Sequence, residues 1–233
     1  MITTQHSATV SYKRNQIEEA IARIFYPSRK KPPSELRTRI KRLLELDRSM
    51  GRKIQSKDAE EANFAFFSEE APGTGADISF SEYEAFALLN GLRIMDHGWP
   101  QSSAVSIMRR VRRDLEREHA RILRQDPDKL FDWEAIRARA RPGDIGADNT
   151  DPVYLTVASK AQHASDQAQR ALFSAVCRGY ENVGKFRDRV GASSVTMFEV
   201  ATLTHSLHTE LMKTAPSPRG RGSHFRQLER RSG

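Results

Sequence analysis

The chain has 233 residues, 38% of them hydrophobic and 29% charged, with a formal charge of +8 at pH 7. That composition is too apolar for wholesale disorder and, without any apolar run near the roughly 18 residues of a spanning helix, too charged for a membrane protein. A single cysteine, Cys177, excludes an internal disulfide framework and any zinc site built on paired cysteines, and the polar residues 1–10 lack the layout of a secretory signal, so a reducing, cytoplasmic setting is expected.

In chain order, Ser11 is placed to cap a first helix whose apolar residues Ile17, Ala20, Ile21, Ile24 and Phe25 recur at helical spacing until Pro27 stops it. Past the basic turn Arg29, Lys30 and Lys31 and the stiff pair Pro32 and Pro33, Ser34 opens a second helix to about Asp47. Its apolar face is Leu36, Ile40, Leu43 and Leu44, and Gly51 ends it. Residues 63–80 set short aromatic segments on either side of a turn-forming stretch. They fit a small β-hairpin, or a short helix over 58–67 followed by a loop. Ser81, with Glu82 and Glu84 behind it, starts a third helix to Asp96; residues 97–100 break it. The stripe Val105, Met108, Val111, Leu115 and Ile122 then marks a long helix over about 101–124. Trp133 and Ile136 point to one more helix, and Trp99 and Trp133 read as core anchors.

Residues 142–151, rich in glycine and aspartate, read as a linker. Asp151 and Pro152 then supply the N-cap and first-turn proline of one long helix to about Arg178. Along it Tyr154, Val157, Ala161, Ala164, Ala168, Ala171 and Ala175 recur at alternating steps of three and four, a seam that wants a partner helix, although residues 153–157 alone also fit a strand. Thr196 and Glu199 form a capping-box pattern ahead of a last helix to about Thr214, and residues 215–233 read as a flexible basic tail. The expected organisation is mainly α. A basic helical domain over 1–141 carries a helix-turn-helix-like or winged-helix-like element and a small β-hairpin, and a C-terminal helical pair over 152–214 is suited to dimerisation.

Charge is distributed in blocks. Residues 1–57 hold 14 Lys and Arg against 5 Asp and Glu, residues 58–104 hold 1 against 9, and residues 105–141 return to 11 against 7. Such a pattern attracts a polyanion with one face, nucleic acid being the commonest, unless the blocks neutralise one another within the fold. Lys13, Arg14, Arg29, Lys30, Lys31, Arg37, Lys41, Arg42 and Arg48 form the less compensated basic surface. On the long helix, Arg109, Arg113, Arg117 and Arg121 follow at steps of four and are expected to form one guanidinium ladder, or a solvent face paired with Asp114, Glu116 and Glu118.

The unit over 81–124 resembles a helix-turn-helix. Ala87 and Gly91 stand at its small-residue and glycine positions, Gln101, Ser102, Ser103 and Ser106 occupy the start of the second helix as candidate base readers, and His97 departs from the apolar residue expected there. The leading expectation is a sequence-dependent, non-enzymatic binder of double-stranded DNA, a transcriptional or mobile-element regulator acting as a homodimer without cofactor or membrane partner. Two other classes stay open: a helical adaptor that pairs its charge blocks with proteins, and a metal-dependent enzyme using His205 and His208, three apart on the last helix.

Overall fold

A computed structural model describes residues 10–68, 78–140, 148–160 and 171–214. The first half is built from α1 (Arg14–Phe25), α2 (Ser34–Met50), α3 (Ala59–Ala62), α4 (Glu82–Asp96), α5 (Gln101–Ile122), α6 (Pro127–Leu130) and α7 (Trp133–Arg139), with a two-strand ladder between β1 (Tyr12–Lys13) and β2 (Ser79–Phe80). The second half runs β3 (Val153–Lys160), β4 (Ala171–Arg178), α8 (Gly179–Val190), β5 (Ser194–Glu199) and α9 (Ala201–Lys213). Its strands form an antiparallel sheet in the order β4-β3-β5, with Tyr154 opposite Cys177 and Leu155 opposite Phe198. The chain is thus mainly helical with a small antiparallel sheet.

Three expectations are corrected. Among the described residues of 63–80 no hairpin forms: residues 63–68 hold no strand and Ser79–Phe80 takes its partner from Tyr12–Lys13, while residues 69–77 lie outside the described residues. Within the helix expected from Asp151 to Arg178, Val153–Lys160 and Ala171–Arg178 are strands, and residues 161–170 lie outside the described residues. Every residue from Val153 to Ser159 is buried, and alternate residues serve opposite faces. Val153, Leu155 and Val157 enter the main core, while Tyr154 and Ala158 pack with Cys177, Val183 and Phe186 under α8. Of the expected seam, Tyr154, Val157, Ala171 and Ala175 stand in the sheet while Ala161, Ala164 and Ala168 lie outside the described residues, and in place of a helical pair the second half carries a three-stranded sheet with α8 and α9. Thr196 and Glu199 lie in β5 rather than at a helix start; α9 begins at Ala201, where the Glu199 carboxylate accepts the amides of Ala201 and Thr202 at 2.8 and 3.0 Å. Of the expected linker, residues 142–147 lie outside the described residues. Asn149 is buried against Glu199 and Thr202, and the Thr150 amide donates to Leu130 O at 2.8 Å.

The main core joins α1, α2, α4, α5 and α9 to the inner face of the sheet. Helix α4 runs through it, buried at every position from Tyr83 to Leu92, and its expected start at Ser81 takes the form of a capping box: Ser81 Oγ accepts the Glu84 amide at 3.2 Å while the Glu84 carboxylate accepts the Ser81 amide at 2.6 Å. Gly91 is required by close approach, since a Cβ there would stand 3.0 Å from Phe66 Cζ. Trp99 packs partly on the core as expected, whereas Trp133 is exposed.

One buried ion pair fastens α2 to α5. Asp47 and Arg109, 0% and 2% exposed, meet at 2.7 Å. The Asp47 carboxylate also accepts the amides of Ala65 (2.9 Å) and Phe66 (2.9 Å), and Arg109 Nη1 donates to the carbonyl of Gly51 at 2.8 Å. The loop between α2 and α4 is thereby drawn onto both helices. Arg112, also buried, continues the clasp by donating to Phe64 O and Ala65 O at 3.0 and 3.2 Å.

Removing one partner of such a pair leaves an uncompensated buried charge. Asp47→Ala is expected to cost about 3–5 kcal/mol in urea unfolding, against about 0.5 kcal/mol or less for the exposed Arg113→Ala; equal midpoints for the two variants would refute the clasp. His119, wedged against Phe86 with ring centroids 4.7 Å apart, has its pKa lowered to about 4 by burial and then by His208 and His205. Because the unfolded imidazole titrates near 6.5, the unfolded chain takes up the proton first, so this contribution is present above that pH and lost as pH falls toward 4. Urea midpoints should drop across that window by the equivalent of about 3 kcal/mol at most, and His119→Gln should remove that part of the slope.

Candidate nucleic-acid interface

The expected arginine ladder does not lie along one face. Each four-residue step leaves a residual rotation of about 40°, so three steps carry the side chain about 120° around the helix. Arg109 consequently points into the core. Arg113 is exposed with no acid partner among the described residues, Arg117 is exposed and paired with Asp114 at 2.7 Å, and Arg121 is held by Glu118 at 2.8 Å and Asp151 at 2.5 Å. Only Arg113 and Arg117 of the four are offered to solvent.

The helix-turn-helix resemblance is limited in a similar way. Between Tyr83 and Leu92, α4 has no free face to lay across a backbone, and Gly91 is accounted for by the Phe66 ring. His97, at the position that departs from the pattern, sets its ring edge-on against Phe198 at 4.8 Å. At the start of α5, Ser102 is exposed, Ser103 and Ser106 are half-buried, and the Gln101 amide donates to the carbonyl of Arg42 at 2.7 Å. This contact brings a candidate reader against the middle of α2.

The N-terminal basic surface survives in part. With Leu36, Ile40, Leu43, Leu44 and Asp47 buried, the solvent stripe of α2 carries Arg37, Thr38, Lys41, Arg42, Glu45 and Ser49. Arg14 and Arg37 share the single carboxylate of Glu18, at 2.8 and 3.5 Å. Lys41 has only the exposed Glu45, 3.6 Å away, and Arg42 has no acid partner among the described residues. Arg29, Lys30 and Lys31 are exposed in the turn leading to α2, with the Arg29 guanidinium 5.7 Å from the Tyr26 ring centroid. Two of the expected residues leave this surface: Lys13 is half-buried and donates to Ser79 Oγ at 3.1 Å, and Arg48 is half-buried with its guanidinium 5.8 Å from the Phe67 ring.

Among the described residues, the carboxylates of the acidic block largely serve the fold, and the cations they bind lie off the outer stripe of α2. Asp96 takes Arg39 at 2.6 Å, Glu60 takes Arg110 at 2.6 Å, Glu61 takes Lys53 at 2.9 Å and Glu82 takes His208 at 2.8 Å. Hydrogen bonds from Lys53 and Ser56 hold the Glu61 carboxyl below its ordinary range. None of these pairs involves Arg37, Lys41 or Arg42.

A second basic surface was not anticipated from the sequence. A groove of about 590 Å³ between α5, β4 and α8 is lined by Arg117, Arg178, Lys185 and Arg189 against a single carboxylate, Glu118. Arg178 is held bidentately by Glu118 at 2.7 and 2.8 Å. Burial works to raise the Glu118 carboxyl, but the hydrogen bonds from Arg178 and Arg121 bring it below the ordinary carboxylate range. In the sequence Arg178 reads as a helix end and the two α8 cations sit in a nearly neutral stretch; the spacing of Lys185 and Arg189, four apart on an amphipathic segment, is the one available signal.

The histidines of α9 face separate partners: His208 Nδ1 meets Glu82, and His205 stands edge-on to Phe131 with centroids 5.5 Å apart. Among the described residues no group of three His, Cys, Asp or Glu is placed to hold a metal ion, and no helix is long and apolar enough to cross a membrane. The Cys177 thiol is buried and its pKa raised by desolvation. The basic tail lies outside the described residues. No family model, no curated protein and no solved structure matches this chain.

Proposed function

We propose that this protein binds double-stranded DNA through the outer stripe of α2. In this reading Arg37, Lys41 and Arg42 lie on the phosphate backbone, the Arg29–Lys31 turn extends the contact, and Gln101 and Ser102 border it as candidate readers of base edges. The observation that supports it is the inequality of the charge pairing. Among the described residues of the acidic block, Asp96, Glu61 and Glu60 are taken by Arg39, Lys53 and Arg110, and the exposed cations of the α2 stripe pair with no described acid but Glu18 and Glu45. Guanidinium and ammonium groups at successive turns of one helix match a repeating polyanion. Service as a transcriptional or mobile-element regulator, with a homodimer joining two half-sites, is the wider form of the same proposal.

The reading makes two quantitative demands. Arg37→Glu, Lys41→Glu and Arg42→Glu combined should weaken binding to a random duplex at least about a hundredfold and reduce the slope of log affinity against log salt by about 2–3. Fluorescence anisotropy at several salt concentrations checks this, and an unchanged slope removes the α2 stripe from the interface. Gln101→Ala with Ser102→Ala should change the sequences recovered by selection from random duplex DNA while lowering total affinity by no more than about tenfold; recovery of the parental sequences would show that these residues read no bases.

A further inference from the structure

We propose that the groove between α5, β4 and α8 is a binding site for a small organic phosphate, of roughly mononucleotide size, separate from the α2 stripe. Four features carry this inference. The groove is open to solvent and has a volume of about 590 Å³, enough to seat a small ligand. Its donors converge from three elements: Arg117 from α5, Arg178 from the end of β4, and Asn182, Lys185 and Arg189 from α8. Their N–H groups suit the several oxygens and double charge of a phosphate monoester better than a lone carboxylate.

The cations also differ usefully in how they are held. Arg178 is fixed by Glu118 through Nε and Nη2, which leaves Nη1 directed by that rigid fork. Arg189 lies against the Phe186 ring at 5.6 Å and has no acid partner among the described residues. Arg117 and Lys185 have only the exposed carboxylates Asp114 and Glu181, both at 2.7 Å, weak pairs that a dianion can displace. The remaining wall, with Val176 and Phe186, is apolar and offers surface to the organic part of a ligand.

The test is isothermal titration of the full-length protein with ATP, AMP and sodium pyrophosphate at low salt, alongside a duplex oligonucleotide. Saturable binding of at least one of the three phosphates is expected, with Arg189→Ala and Lys185→Ala each weakening it by about tenfold at unchanged urea midpoints. The Arg37, Lys41 and Arg42 charge reversal should leave that affinity as it is while weakening DNA binding, so this site and the DNA surface fail or succeed independently. Absence of saturable heat with all three phosphates overturns the inference. So does equal affinity in the Lys185→Ala protein, whose side chain is too exposed to matter to folding. Loss of DNA binding alone in these variants also overturns it, because it would assign the groove to a nucleic-acid backbone.

Discussion

The arrangement depends on a charge pair sealed from water. Asp47 and Arg109 are tolerable in the core because nearly every polar direction is used: the carboxylate accepts from the guanidinium and from two loop amides, and the guanidinium also serves the carbonyl of Gly51. Because this clasp sets α2 against α5, it also sets what each helix turns outward. One helix therefore shows two chemistries, a buried acid that organises the core and a basic rim one residue class away from it.

Charge elsewhere follows the same division between structural and available groups. Cations that pin loops and helix ends, such as Arg39, Arg110 and Arg121, meet carboxylates at close range. Several on the outer stripe of α2 and around the groove, Lys41, Arg117 and Lys185, are paired only with exposed carboxylates, where the interaction contributes little and is readily exchanged, and Arg42 and Arg189 have no acid partner among the described residues. Among the described residues, cations of this kind line two surfaces of different shape, one the outer stripe of a helix and one a groove. The shapes, more than the charge, distinguish the partners proposed for them.

Much of the helical framework was legible in the sequence. Ser81 with Glu84 announced α4, the apolar stripe from Val105 to Ile122 announced α5, and Leu36 to Leu44 marked the inner face of α2. The sheet was not, for a definite reason. Strands buried on both faces lose the alternation that betrays a strand, and the small apolar residues of 153–175 happened to fall at steps of three and four. The arginine ladder failed through a rotation too small to notice in one step and too large to ignore in three. Asp47 gave no local sign of its role, because its partner stands 62 residues away. The groove combines both difficulties: its cations come from a misread strand and from helices distant in sequence, so only the tertiary structure assembles them.

The Asp151–Arg121–Glu118–Arg178 chain has a mechanical meaning beyond its charges. Glu118, 4% exposed, is gripped from both sides, by Arg121 at one end and Arg178 at the other, and Arg121 in turn tethers Asp151 at the threshold of β3. The C-terminal part of α5 is thereby tied to the last residue of one strand and to the approach of its neighbour. Asp151 and Arg178 stand at the same end of the β3–β4 ladder, where Val153 pairs with Arg178 and the Gly179 amide donates to Pro152 O at 2.8 Å, so one wall of the groove and the entry to the sheet are anchored to the same two residues of the helix.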